Sequence, residues 1–369
     1  MRILHINSYY EDAPFFKNLY DRQKENGIDI SVYVPHKKNG VKEKNLGEYT
    51  YRDAAFNEYD RVLFYKKHGK ILKNIKEKYD FSKFDILHAH SLFSNGYIAY
   101  RLKKEFGIPY IVAVRNTDIN VFFKRLIYLR NLGIKIINDA EKVVFISLPY
   151  KNEVINKYLD RNTFDFVDNK FIVIPNGIDD FWLNNIYVEN RLREKNKIKI
   201  LCVSSIDKNK NHFTTLKACE EMIKCGYNVE YGIAGAINDK RIFHHLNENK
   251  FVKYWGSLGK EELLTLYRKY DFFVMPSITE TFGLVYAEAM SQGLPVIYTK
   301  GQGFDQQFEE GSVGYHVKAK DYCDIIEKIE TINESYADFS YRCKKNVFKF
   351  GWETIEEEYR KVYNTVIQK

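Results

Sequence analysis

The sequence predicts an α/β protein in which two parallel sheets follow one another along the chain. Short apolar runs alternate with longer mixed segments, the pattern of βαβ units, and that pattern stops at a charged stretch and then restarts. Size agrees: 369 residues exceed one ordinary domain, and two domains of about 180 residues are the natural division.

In the first half the strand candidates are residues 2–6, 28–34, 86–88, 110–114, 142–146 and 171–174, short runs of the kind buried on both faces of a parallel sheet. Residues 189–199 are charged and interrupt the alternation. It resumes with candidates at 200–203, 229–234, 252–255, 272–274 and 296–298, and residues 352–368 read as a closing helix. Neither a fixed repeat nor a low-complexity tract appears.

Composition narrows the function. A chain with 45% hydrophobic and 29% charged residues is globular rather than disordered. No window approaches roughly 18 uninterrupted apolar residues, and residues 1–7 run straight into polar sequence without a secretory leader, so the expected location is the cytoplasm. The five cysteines, Cys202, Cys219, Cys225, Cys323 and Cys343, have no CxxC spacing and are odd in number, which argues against a zinc site and a disulfide framework; buried free thiols are expected. Residues 1–180 hold 30 Lys+Arg against 23 Asp+Glu, a balance of +7 out of +8 for the chain. Within them, residues 121–130 mix aromatic, aliphatic and cationic side chains, as either a membrane-surface helix or a core helix with snorkelling Arg and Lys would. A peripheral contact with the inner face of the membrane through this basic half stays open. Nucleic acid is not an expected partner, because the basic residues are scattered and no zinc-finger or RNP-type motif is present.

The most informative stretch is Pro276-Ser-Ile-Thr-Glu280-Thr-Phe-Gly283-Leu-Val-Tyr-Ala-Glu288, with two carboxylates eight positions apart across a strand-to-helix junction. The apolar run before it suits a buried strand, residues 284–292 read as a helix, and Gly293 closes it. Glu280 then lies in the loop and Glu288 in the helix. Unpaired amides around Thr281, Phe282, Gly283 and Leu284, at the positive end of the helix, suit a diphosphate. Carboxylates beside an anion site need hydroxyl donors, which points to a sugar ring and a ribose, hence to a nucleotide sugar. A lone Glu near a helix start is as well explained by the helix dipole.

This segment resembles the donor-binding motif of glycosyltransferase family 4, Glu followed by seven residues and Glu. Val173-Ile-Pro-Asn-Gly-Ile-Asp179 is similar to that family's interdomain segment, Phe84-Asp-Ile-Leu-His-Ala-His90 to its acceptor-side strand, and Leu294-Pro-Val-Ile297 to the strand after the donor helix. The resemblance implies a GT-B fold: two Rossmann-like domains facing each other across a cleft, residues 1–180 binding the acceptor and 181–350 the donor, with a helix at 351–369 crossing back onto the first domain. It implies a retaining, metal-independent hexosyltransferase without a cofactor, moving a sugar from a nucleoside diphosphate sugar, UDP favoured and GDP open, to a glycan or lipid-linked acceptor in cell-surface polysaccharide assembly. A nucleotide-sugar epimerase of the same fold and a non-catalytic partner subunit are the alternatives.

Residue by residue, Lys210 matches the family's donor lysine, whereas the family's arginine falls on Ser205, so that charge is either missing or supplied by another residue such as Lys208. Glu280 would hold the transferred sugar, Glu288 the ribose, and Lys210 with the helix amides the departing diphosphate. Gly256, after Trp255, resembles the loop lining the base, and Gln306 stands where the family usually has Glu. On the acceptor side the resemblance places His90, Arg115, Asn116 and Asp118 in the cleft, with His90 as a catalytic candidate; Tyr9 and Tyr10 replace the family's paired glycines and would stack on a sugar. Alternation puts His88 and His90 on one strand face, but the sequence shows no third ligand for a metal. Gly177 is expected at positive φ in the connection between the domains.

Overall fold

The structure, a computed structural model, describes residues 1–13, 15–38, 45–189 and 193–368, so residues 190–192 of the charged interruption and the terminal Lys369 lie outside the described residues. The chain forms two compact units. One comprises Met1–Ile146, Tyr150–Gly177 and Trp352–Lys369; the other comprises Ser147–Pro149 and Ile178–Gly351.

The first unit is built on strands β1 (Arg2–Ile6), β2 (Asp29–Lys37), β3 (Thr50–Phe56), β4 (Ile86–Ala89), β5 (Tyr110–Val114), β6 (Lys142–Phe145) and β7 (Phe171–Val173). All pair parallel in the order β3-β2-β1-β4-β5-β6-β7. Every residue of β4 and β5 is buried, which is why these strands read as unbroken apolar runs around His88. The chain winds outward from β1 and then returns to β1's other side at β4, so the topological switch lies between β1 and β4, where open α/β sheets bind their ligands.

The second unit repeats the plan with β8 (Lys197–Val203), β9 (Asn228–Ala234), β10 (Val252–Tyr254), β11 (Phe272–Val274), β12 (Val296–Thr299) and β13 (Gly314–Val317), in the parallel order β10-β9-β8-β11-β12-β13. Its switch lies between β8 and β11.

Two strands carry no sequence signal, and both are sheet edges. β3 reads Thr-Tyr-Arg-Asp-Ala-Ala-Phe; its Asp53 is buried because the Tyr33 hydroxyl and the Asn74 amide, at 3.1 Å, donate to it. β13 is four residues long and only half buried. Residues 121–130 do not form the single helix expected of them. A π-helical turn, Asp118–Phe123, gives way at Leu126, whose ψ of 61° is not helical, to a 3₁₀ turn at Ile127–Leu129 and then a helix over Arg130–Asp139.

The helix Trp352–Ile367 belongs to the first unit. Trp352, Ile355, Tyr359, Tyr363 and Val366 recur at three- and four-residue spacing and share one core with Ile3 and with Phe16, Leu19 and Tyr20 of the helix Phe16–Glu25. Gly177 is not among the residues at positive φ. Its missing side chain is needed because a methyl group there would collide with the Trp352 indole. Cys202, Cys219 and Cys343 are buried thiols, whereas Cys225 and Cys323 are exposed, contrary to the expectation for all five. Among the described residues no helix is long and apolar enough to cross a membrane.

Candidate functional site

In the second unit the loops after β8, β11 and β12 converge on Glu280. Lys210, seven residues past β8, places its Nζ 2.7 Å from Glu280 Oε2. Two asparagines fix that approach. Asn209 donates through Nδ2 to the Thr279 carbonyl at 2.9 Å and accepts the Thr279 amide at 3.0 Å, and Asn211, in the left-handed region at φ 57°, donates to the Pro276 carbonyl at 3.0 Å. Asp207 organises the turn by accepting the amides of Asn209 and Lys210 and, at 2.6 Å, the Ser205 hydroxyl. Burial alone would raise the Asp207 pKa, but these donors and the Lys210 charge hold it below the usual range. Ser205 is therefore engaged with Asp207, while Lys208 is exposed.

The loop after β12 grips Glu280 by its backbone. Gln302 Oε1 accepts the Glu280 amide at 2.9 Å, and the Gly303 amide donates to the Glu280 carbonyl at 3.1 Å. That loop is held in turn by Asp305, 2% exposed, which accepts the amides of Gly301 and Gln306 and meets His316 Nδ1 at 3.0 Å. Gln306 itself adopts φ 60°. The Glu280 carboxylate is satisfied by Lys210, by the Thr281 amide on Oε1 at 3.0 Å and more distantly by Ser277.

The helix Leu284–Ser291 starts at Gly283 with φ 78° and no side-chain cap, which leaves its first amides available to an anion. Only glycine serves there: a side chain would be strained at that φ and would run into the Tyr286 ring. Glu288 lies one turn inside this helix, partly buried, and takes a hydrogen bond from the Tyr267 hydroxyl at 3.2 Å. Burial pushes its pKa up to about 7 against the opposing effects of Tyr267 and Lys260. A carboxyl so placed is poised to ionise when hydroxyl donors arrive. Gly256 follows β10 at φ 76°, its carbonyl accepting the Gly235 amide at 2.7 Å, and Trp255 donates through Nε1 to Tyr270. Phe282 is buried against Phe350, so of the residues expected to cradle the donor it contributes only its backbone. Asp207, Asn209, Gln302 and Asp305 were not among the expected site residues, although all four stand in the loops after β8 and β12; turn-forming Asp and Asn in such loops were the available signal for three of them.

In the first unit the residues expected to meet an acceptor are mostly committed inward. Tyr10 is fully buried and donates to the Leu46 carbonyl at 2.7 Å, so it cannot stack on a sugar. Tyr9 is partly exposed at the β1 switch loop, its pKa pushed up to about 12 mainly by burial. Asp118 is fully buried and accepts the amides of Leu92, Phe93 and Arg115 at 3.0, 3.1 and 2.8 Å, which makes it a clasp between loops rather than an acceptor ligand; burial raises its pKa to about 6 despite these donors. Arg115 is 8% exposed and donates to the His90 carbonyl and to Asn176. Asn116 is partly exposed and accepts from Asn120.

His90 is fully buried rather than lining a surface, and it is not alone. Register pairs His5 on β1 with His88 on β4, and His5 Nδ1 meets His90 Nε2 at 3.1 Å. His5 is thus the third imidazole that one strand could not reveal. The three imidazoles bring ring nitrogens within 4.8 Å of one another, and the His88 and His90 rings stack at 4.0 Å with planes 24° apart. Tyr363 of the last helix bonds His88 Nδ1 at 2.7 Å and Tyr20 bonds His90 Nε2 at 3.2 Å. Burial drives His5 to about 3 and holds His88 and His90 well below the ordinary range, so all three are neutral.

The family profile described as Glycosyltransferase Family 4 matches residues 15–180, and that described as Glycosyl transferases group 1 matches residues 185–350. The chain is 25% identical over 364 residues to an uncharacterised glycosyltransferase of Methanocaldococcus jannaschii, covering 90% of this chain and 93% of that one. It is 26% identical over 274 residues to the alpha-monoglucosyldiacylglycerol synthase of Acholeplasma laidlawii, covering 69% and 66% respectively. Among solved structures, the apo form of the lipopolysaccharide outer core galactosyltransferase WaaB superposes with a TM-score of 0.76 at 14% identity over 98% of both chains. Anabaena HepE in complex with UDP and glucose does so with 0.69 at 16% identity over 99% of this chain and 100% of that one. Fold and profiles together define a glycosyltransferase with the GT-B fold. The chain belongs to the family 4, group 1 glycosyltransferases.

Proposed function

We propose that the chain transfers a sugar, with retention at its anomeric carbon and without a metal ion, from a nucleoside diphosphate sugar to a glycan or lipid-linked acceptor. The observation that carries this reading is the Lys210–Glu280 pair at 2.7 Å, set beside an uncapped helix start at the β8/β11 switch. On donor binding Lys210 turns from Glu280 to the diphosphate, and Glu280 accepts hydroxyls of the transferred sugar. The bond from the anomeric carbon to the phosphate oxygen breaks, a bond to the acceptor oxygen forms on the same face, and the acceptor's proton passes to the leaving phosphate. Lys210 and the amides of Gly283 and Leu284 stabilise the charge that develops there. Glu288 accepts the ribose hydroxyls as a carboxylate. The UDP named with a structural neighbour makes a UDP-sugar the first donor to try.

The test is a melting-temperature screen against UDP, GDP, ADP, CMP and dTDP and their common sugars in EDTA, followed by transfer assays with the selected donor. A native-state ligand at 100 times its Kd stabilises by about 2.7 kcal/mol. Glu280→Ala and Lys210→Ala should each lower turnover by roughly 10²-fold or more while melting as wild type does. Wild-type rates in either variant would refute the site, and shifts that appear only when Mg²⁺ or Mn²⁺ replaces the EDTA would refute metal independence.

A further inference from the structure

Among the described residues Arg115 is the one lysine or arginine that is buried. Its place is the carboxyl end of the first sheet. It follows β5 directly, and its Nε donates at 3.2 Å to the carbonyl of His90, the residue after β4. β4 borders the switch with β1, where an open α/β sheet takes its ligand. Tyr9, in the loop after β1, is partly exposed there, and the Asp118 and Arg115 charges both act on its hydroxyl.

A guanidinium withdrawn from water is costly unless a carboxylate faces it. Arg115 forms no ion pair among the described residues. Of its N–H groups one meets the His90 carbonyl and one the Asn176 side-chain oxygen at 3.0 Å, and both acceptors are uncharged. The Tyr359 hydroxyl and the Phe16 ring, 5.5 Å from the guanidinium carbon, are its other neighbours. Asp118, the acid close to it in sequence, has both oxygens committed to the amides of Leu92, Phe93 and Arg115 itself. The nearby start of the helix Ser94–Phe106 offers an anion little, because Ser91 already takes the amides of Asn95 and Gly96. The positive charge at this switch is therefore that of Arg115, and it is not balanced. A guanidinium does not give up its proton, so a role as base is ruled out, whereas its planar fork with N–H groups to spare suits an oxyanion held by two parallel hydrogen bonds.

We propose that Arg115 anchors an oxyanion carried by the acceptor, a phosphate or a carboxylate, so that the chain takes an anionic acceptor in preference to a neutral one. Calling the ligand an acceptor rests on the glycosyltransferase reading; the anion site itself rests on the unpaired guanidinium.

The test is calorimetric titration of the full chain, without donor, with glucose 6-phosphate, glucuronate and glucose. At least one of the two anions should bind, and glucose should bind at least about tenfold more weakly. Which anion binds tells a phosphate-bearing acceptor from a carboxylate-bearing one. Arg115→Gln should weaken that binding at least about tenfold, and Arg115→Lys, which keeps the charge without the fork, should fall between. Melting curves of both variants separate loss of the site from loss of the fold, and Arg115→Lys serves if Arg115→Gln does not fold. Lys210→Ala, which disables the other candidate anion site, should bind the anion as the wild type does. No anion binding by the wild type, equal binding of glucose, undiminished binding in folded Arg115→Gln, or binding lost in Lys210→Ala would overturn the proposal. Because no donor takes part, such a failure would leave the donor reading standing.

Discussion

Acid should unfold the first unit steeply, and the buried imidazoles set the slope. His5, His88 and His90 have no exposed surface, and burial depresses each pKa, that of His5 to about 3, opposed only by Gln23. At neutral pH both folded and unfolded states leave them unprotonated, so nothing is lost. Below about pH 6.5 the unfolded chain takes up protons that the folded unit refuses, and each such histidine removes about 1.4 kcal/mol of stability per pH unit. His5 alone therefore withdraws roughly 5 kcal/mol by the time pH reaches its folded value. His68, lowered to about 4, adds a fourth such group; Asp118, raised to about 6, and the buried Glu356, raised also, act in the opposite sense by holding protons in the folded state. Asp118 and Glu356 therefore offset part of the slope that the four histidines set. The measurement is a urea titration at several pH values, read by hydrogen exchange at the amides of β1 and β4, for wild type and for His5→Phe, which keeps a ring against His88 and His90. The stability difference should move in favour of the variant by about 1.4 kcal/mol per pH unit between about pH 6 and pH 4. A difference independent of pH would show that His5 titrates normally and would refute the buried neutral cluster.

Glu288 supplies a second pH effect, this time on binding. With its pKa raised to about 7, the carboxylate proposed to accept the ribose is the majority form only above neutrality, so affinity for a nucleotide sugar should rise about tenfold from pH 6 to pH 8 and become flat in Glu288→Gln, as calorimetry would register. Gly283→Ala should cost about 1–3 kcal/mol in the second unit through its φ of 78° and the Tyr286 ring, and should weaken diphosphate binding; an unchanged melting temperature would refute the backbone argument. Asp118→Asn puts an NH2 among three amide donors and should destabilise the first unit by about 2 kcal/mol or more, measured by urea unfolding, without changing donor affinity.

Most strands were legible because parallel strands buried on both faces leave near-continuous apolar runs; two of the four edge strands, β3 and β13, were not, since an edge tolerates Arg52, Asp53 and His316. The Glu280–Glu288 spacing was legible because it straddles a strand–helix junction whose parts are local. What joins Glu280 to Lys210, Gln302 and Gly303 is long-range, between 22 and 70 residues apart, and no local pattern encodes it. The histidine cluster was hidden for the same reason, since His5 and His88 become neighbours only through the pairing of β1 with β4. Tyr10 misled because a tyrosine in a switch loop looks the same in sequence whether it faces a ligand or, as here, the Leu46 carbonyl.

The helix Trp352–Ile367 completes a core begun at Ile3, which bears on how the chain is born. During synthesis the first sheet emerges with the surface that will receive Trp352, Tyr359 and Tyr363 uncovered, and His88 without its Tyr363 partner, until the second unit has been made in full. The N-terminal unit is thus the last to finish folding although it is the first to leave the ribosome, and until then it exposes apolar surface of the kind that draws chaperones. A stop codon just before Trp352 would spare the second unit and leave the first one open.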